Sequence, residues 1–292
     1  MQARILGSLA VVVVGLLPTI AGGPVFAALM AVLGVVGYRE FTVVSKNLPT
    51  APRVPPSGYP AIAFLAGAGL FAWPLPVVAA IGAAAVFVPV VALFRHALTA
   101  GAAEGWALAV TGSFYLGLPV LAAIELRAFH GTVDAAWLED LNRLTAAAWD
   151  GHPRGLAWVI MAILVTWIAD TAAFLVGRQI GRRPIASRVS PKKTIEGALG
   201  GLLGGMLVAI AVDVGLGLGL GLLVAGLVGI GLTIVSQLGD LGESFLKRQA
   251  GVKDSGNLIP GHGGLLDRID ALLFVFPSAW FLAWLLDGPG AR

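Results

Sequence analysis

The chain contains no cysteine, so disulfides, thiolate metal sites and cysteine nucleophiles are excluded from the outset. It is also poor in charge. Only 12% of its 292 residues are Asp, Glu, Lys or Arg, about half of the roughly 25% usual in soluble domains, whereas 58% are hydrophobic. That balance belongs to a protein whose solvent is largely lipid. A third absence concerns nucleotide folds: the glycines crowded over 200–231 include no G-x-G-x-x-G run following a strand. Their expected use is close packing of helices, where small residues let backbones approach in lipid.

What is present is a series of apolar runs over 5–20, 24–38, 60–73, 75–94, 105–124, 155–177, 195–212, 214–236 and 269–286. Most approach the ~20 residues that a bilayer crossing needs. The sequence therefore predicts an all-α polytopic membrane helix bundle with about nine transmembrane helices. Trp73-Pro74-Leu75-Pro76 separates the third and fourth runs, and two short spans or one re-entrant pair would both account for them. Under the nine-span reading, 15 of the 19 Lys and Arg fall on the side holding the N-terminus. Positive loops stay inside, which predicts a cytoplasmic N-terminus. Arg4 and the run after it resemble a secretory signal peptide, and a retained first span is the expectation that preserves helix parity.

The two halves differ in character. Residues 1–154 are predicted to be scaffold helices joined by weakly charged connectors, with Arg39, Lys46 and Arg53 serving only anionic headgroups. His130 and His152, in the polar stretch 126–154, read as ordinary solvated residues. Residues 155–292 are predicted to be the catalytic transmembrane domain, because ionisable groups enter its spans or crowd their cytoplasmic ends.

Asp170 lies deep in the sixth run. A carboxylate there costs ~2.5–3.5 kcal/mol or more against lipid, so it must face a cavity or a partner. Either a hydrogen bond to Thr171 or a neighbouring helix, or an ion or substrate ligand role, satisfies that demand. Ser190 followed by Pro191 reads as an N-cap and first helical residue, which predicts a helix beginning there. Lys192 and Lys193 would then occupy a first turn that disfavours positive charge unless an anion such as phosphate is bound. Asp240, Glu243 and Lys247 follow an i, i+3, i+7 spacing that shares one helix face, with mutual pairing as the simple alternative. Asp267 and Asp270 are also three apart at the opening of the last span. Capping accounts for one such aspartate, but two beside the glycine-rich 261–264 exceed that need. Hard carboxylate oxygens suit Mg²⁺, especially with substrate phosphates completing its shell. Acids for divalent cations, bases for phosphate oxygens and glycines that approach both are the parts of nucleotide phosphoryl or nucleotidyl transfer.

Three stretches carry a family resemblance. They are Asp170-Thr171 with Gly177-Arg178; SPKKTIEG over 190–197; and QLGDLGES over 237–244, continuing to Lys247-Arg248, Lys253-Asp254, Pro260, His262-Gly263-Gly264, Asp267-Arg268 and Asp270. Over about 155–285 the chain resembles the phosphatidate cytidylyltransferases, the CDP-diacylglycerol synthases. The resemblance implies conversion of CTP and phosphatidate to CDP-diacylglycerol and pyrophosphate, with Mg²⁺ in one or two ions and potassium as a further cofactor. It also implies a polytopic protein of the bacterial inner membrane, commonly a homodimer, with its site facing the cytoplasm, and no nucleic-acid partner is expected. The expected catalytic set is Asp240, Lys253, Asp254, Asp267 and Asp270, with Asp170, Asp240, Asp267 and Asp270 assigned to metal. Lys192, Lys193, Ser244, Lys247, Arg248, His262, Gly263, Gly264 and Arg268 are assigned to the two substrates. Two rivals stand beside this reading: a CTP-dependent polyprenol or dolichol kinase, and an ion or anion transporter using Asp170 and the basic mouth.

Overall fold

A run of apolar residues in lipid must satisfy its own backbone, and the α-helix does so within one segment. The computed structural model describes residues 15–50, 54–73, 101–146, 152–258 and 263–288. Residues 15–21 are helical, and the bounded elements among the described residues are α1 Gly23–Ser45, α2 Gly58–Leu70, α3 Ala102–Arg127, α4 Ala136–Ala146, α5 Pro153–Ile180, β1 Pro184–Ala186, β2 Ser190–Thr194, α6 Ile195–Leu216, α7 Leu222–Gln249, α8 Leu266–Ile269 and α9 Leu272–Asp287. Six segments are long and apolar enough to cross a bilayer: α1, α3, α5, α6, α7 and the stretch Leu266–Asp287 that holds α8 and α9. The chain is thus a helical integral membrane protein. The run at 60–73 forms the shorter α2, while the run at 75–94 and most of that at 5–20 lie outside the described residues.

The helices gather into two compact units. The first holds Pro24–Glu125 and Phe245–Ile269. Its core is aromatic and aliphatic, with Tyr38, Ile62, Leu116 and Ala68 fully buried. The Tyr38 hydroxyl donates to Pro55 O at 2.9 Å, which gives the one polar atom of that ring a partner.

The second unit holds Thr19–Gly23, Leu126–Ser244 and Asp270–Arg292. Here α5 and α6 lie along one another through small residues. A Cβ added at Gly197 would sit 2.8 Å from Ala173 O, and one at Gly201 would sit 3.1 Å from Ala169 O. The glycines therefore act as the sequence predicts, as surfaces for close approach. Two ionic clips fix the ends of this unit. Arg154, near the start of α5, donates from Nε to Asp287 Oδ2 at 2.7 Å, and Trp158 Nε1 donates to the same oxygen at 3.1 Å. Arg127 donates to the carbonyls of Thr19, Ile20 and His152. His152 stacks on His130, ring centroids 3.7 Å apart, and His130 is exposed to solvent as expected.

The α6–α7 connection departs from the run expected at 214–236. Gly217, Gly219 and Gly221 all adopt positive φ, where only glycine is at ease, and so open a loop inside the apolar stretch. Buried Asp213 closes it by accepting from Leu220 N at 2.9 Å and Gly221 N at 3.1 Å. Helix α7 then continues through the polar residues 236–249.

Candidate functional site

In the second unit the charged residues are placed by the hairpin. Helix α5 ends at Gly181, whose N–H bonds to Gly177 O at 3.0 Å. Strands β1 and β2 then pair antiparallel, with Pro184 opposite Thr194 and Ala186 opposite Ser190. The Thr194 side chain caps α6 by accepting from Gly197 N at 3.1 Å. Glu196 Oε2 reaches back to accept from Arg182 N at 3.0 Å and Arg183 N at 3.2 Å. This overturns the helix expected from Ser190-Pro191. The cap belongs to Thr194 and the acid of the first turn to Glu196, which suits the helix dipole. Lys192 and Lys193 therefore lie on a strand before the helix, where no dipole opposes them.

Lys193 forms an ion pair with Asp240 Oδ2, the side chains 28% and 31% exposed. The Asp170 carboxylate interacts electrostatically with both, unfavourably with Asp240 and favourably with Lys193. Thr171 donates to Trp167 O instead, at 2.8 Å. One turn before Asp240, Gln237 Nε2 donates to Ala198 O at 3.2 Å and ties α7 to α6. Gly239 lets the chain at Asp270-Ala271 come close: an added Cβ would lie 2.9 Å from Asp270 O. Asp170, Asp240 and Lys193 are thus together, with the backbone of Asp270 beside Gly239. Ser244 donates to Asp240 Oδ1 at the long distance of 3.4 Å.

In the first unit the last turn of α7 faces a loop. Lys247 Nζ donates to Asp267 Oδ1 at 2.6 Å, the side chains only 13% and 10% exposed. Asp267 Oδ2 accepts from Ser255 N at 2.9 Å and Gly264 N at 2.8 Å. Gly263 has φ +86°, and an added Cβ there would meet Asp267 Oδ2 at 2.7 Å. Lys253, Asp254, Arg248 and Arg268 are exposed on the same unit, Arg248 donating to Val252 O at 3.4 Å. His262 lies outside the described residues.

Two expectations about shared faces fare differently. Helix α7 does continue through Asp240, Glu243 and Lys247, with Asp240 paired to Lys193 and Lys247 to Asp267. Asp267 and Asp270 do not share one helix. The single turn Leu266–Ile269 stops at a turn of Asp270 and Ala271, where Asp270 Oδ1 accepts from Ala271 N at 2.8 Å.

The sequence reading passed over Glu40. It is 8% exposed in α1, and it accepts from Ser255 Oγ at 3.1 Å, Leu265 N at 3.0 Å and Leu266 N at 2.7 Å. Glu40 follows Arg39 just past the apolar run 24–38, so the signal that marks Asp170, a carboxylate deep inside a run, is missing there.

Among the described residues no cluster of three or more His, Asp or Glu side chains forms a self-sufficient metal cage. Asp170 and Asp240 are the carboxylates that could hold Mg²⁺, an ion that keeps waters and needs only one or two carboxylates when substrate phosphates complete its shell.

Three relatives carry the name phosphatidate cytidylyltransferase. The protein of Synechocystis sp. is 38% identical over 179 residues, 60% of this chain and 61% of the relative. That of Bacillus subtilis is 39% identical over 133 residues, 46% of this chain and 49% of the relative. That of Staphylococcus haemolyticus is 46% identical over 123 residues, 42% and 47% of the two chains. The chain thus spans about half to three fifths of the length of these relatives. The sequence model of the cytidylyltransferase family matches residues 2–286, and the chain belongs to that family.

Proposed function

We propose that this protein transfers a cytidylyl group from CTP to phosphatidate, releasing pyrophosphate and forming CDP-diacylglycerol. The observation that carries the reading is the pairing of Lys193 with Asp240 beside Asp170, inside the range 2–286 that the cytidylyltransferase family model matches. Under this proposal a phosphate oxygen of phosphatidate attacks the α-phosphorus of CTP in line. The bond to the bridging oxygen breaks, and pyrophosphate leaves with the electron pair. A phosphate monoester has its second pKa at about 6 and is largely ionised near neutrality, so no strong general base is needed. Catalysis then rests on positioning and charge neutralisation.

Asp170 and Asp240 would hold Mg²⁺, with Asp267 and Asp270 the further candidates; the ion would neutralise charge on the nucleotide phosphates. Lys193 and Lys247 rest on carboxylates in the free protein and would turn to phosphate oxygens, joined by Lys192, Arg248, Lys253 and Arg268. Ser244, Asp254, His262, Gly263 and Gly264 belong to the same proposed set. We place the protein in a bacterial inner membrane with about nine spans, a cytoplasmic N-terminus and a cytoplasm-facing site, as a homodimer, with potassium as an additional ion. The test is product analysis by mass spectrometry with CTP labelled at the α or γ phosphorus. Label from the α position in a diacylglycerol product, with pyrophosphate released, supports the proposal. Transfer of the γ label to a lipid alcohol replaces it with a lipid kinase.

A further inference from the structure

We infer that Glu40 is a positioning residue for the catalytic loop, an inference that rests on the function proposed above. The donors at the two ends of the 255–264 loop are divided between two carboxylates. Ser255 gives its N–H to Asp267 and its hydroxyl to Glu40. Gly264 gives its N–H to Asp267, and the next two residues, Leu265 and Leu266, give theirs to Glu40. Asp267 in turn holds the Lys247 ammonium. Glu40 therefore fixes the two chain segments whose amides aim Asp267, and Asp267 fixes Lys247.

The surrounding residues are shaped to admit this carboxylate. An added Cβ at Gly264 would lie 2.5 Å from Glu40 Oε2, and one at Gly256 would lie 2.8 Å from Glu40 Oε1. These glycines are needed because the carboxylate occupies the volume that a side chain would take. A buried carboxylate loses several kcal/mol of hydration, and an apolar contact would hold two segments together without that loss. What the carboxylate adds is direction: three donors must point at two oxygens, which sets the orientation of the Leu265 and Leu266 amides as well as their nearness. Directed amides are what a loop that aims Asp267 requires.

Glu40→Gln is nearly isosteric but cannot accept at both terminal atoms, so it loses either the Leu265 or the Leu266 bond. Two measurements on the full-length protein in detergent test the inference. The first is hydrogen–deuterium exchange of the peptide holding Leu265 and Leu266, a readout that needs no activity. Faster exchange in Glu40→Gln than in wild type supports the clamp, and unchanged exchange overturns it. The second is steady-state kinetics with CTP and phosphatidate. A misplacement of about 1 Å in a remote support can cost on the order of 100-fold, so kcat per folded molecule should fall roughly 10- to 100-fold while KM for CTP moves by less than about threefold. A lower melting temperature with kcat unchanged means a structural role only and overturns the inference. If Glu40→Gln does not fold, Ser255→Ala decides by the same two readouts, because it removes one donor and leaves the carboxylate in place. Wild-type protein that forms no CDP-diacylglycerol refutes the proposed function; wild-type turnover with an indifferent Glu40→Gln refutes only the positioning role.

Discussion

Lys247 and Asp267 provide a quantitative test of the loop geometry. Both side chains are nearly out of solvent and 2.6 Å apart, so neither can lose its partner at little cost. In Asp267→Asn the amide oxygen can still accept from Ser255 and Gly264, but its NH₂ then faces the Lys247 ammonium. Breaking a mostly buried ion pair by neutralising one member costs about 3–5 kcal/mol. In Lys247→Met the aspartate keeps both backbone donors and loses one charge-assisted hydrogen bond, about 1.5–3 kcal/mol. In the double variant Lys247→Met/Asp267→Asn both members of the pair are neutral, and the Asn oxygen still serves the two amides. The second substitution should then cost only about 1–2 kcal/mol, leaving a coupling of at least about 1 kcal/mol, within the range for contacting residues. Unfolding in mild detergent, followed by the fluorescence of the eight tryptophans, measures all three. Costs that add to within about 0.5 kcal/mol would refute the contact. The same variants separate stability from chemistry, since the double should be about as stable as Asp267→Asn alone and show no CTP turnover. A double variant that turns over like wild type would remove Lys247 from the phosphate-binding set.

Two further outcomes follow from the second unit. Asp240→Asn should abolish CTP turnover while the purified protein keeps its helical circular dichroism, and Lys193→Met should raise KM for CTP about tenfold or more, the ~1.4 kcal/mol that one lost phosphate contact represents at minimum; near-normal kinetics in both would withdraw the pair from the site. Gly205→Ala and Gly231→Ala should differ in sign. A Cβ at position 205 drives into the Thr233 hydroxyl and lies 3.2 Å from Gly229 O, whereas position 231 has nothing within 4 Å. The first should cost about 1–3 kcal/mol by overpacking, and the second should gain up to about 1 kcal/mol of helix propensity, both read as detergent melting temperatures.

The parts of the fold that the sequence disclosed are those governed by local rules. Helices α1, α3, α5 and α6 cover the apolar runs at 24–38, 105–124, 155–177 and 195–212, and glycines 197, 200, 201, 204 and 205 of α6 face close neighbours as their crowding implies. The misplacements arise where two local rules compete. Ser190-Pro191 and Thr194-Ile195-Glu196 both satisfy the requirements of a helix start, and the second wins because Glu196 also closes onto the amides of Arg182 and Arg183. The start of α7 was hidden because the left-handed glycines 217, 219 and 221 sit among leucines and leave no polar mark. Glu40 was illegible for another reason. Its partners lie 215 to 226 residues away, and no periodicity or spacing encodes such a contact.

The partners of each carboxylate suggest which charges are free to act. Glu40 and Asp213 are held by backbone amides, with one hydroxyl added at Glu40. Amides are fixed by the fold and cannot leave without unmaking it, so these acids serve architecture or positioning. Asp287 is held by Arg154 and Trp158, and Arg154 is itself bound to Leu218 O at 3.0 Å, which fixes that pair too. Asp240 is different. Its ion-pair partner is Lys193, a flexible ammonium on an exposed hairpin, which can turn to a phosphate oxygen while the carboxylate turns to a cation, with no net charge left uncompensated. Asp267 combines both kinds, one oxygen on two amides and the other on Lys247. A residue built that way can release its lysine without losing its own place. Acids neutralised by movable cations are therefore the ones expected to meet a nucleotide, and acids neutralised by amides are the ones expected to hold the frame still while they do.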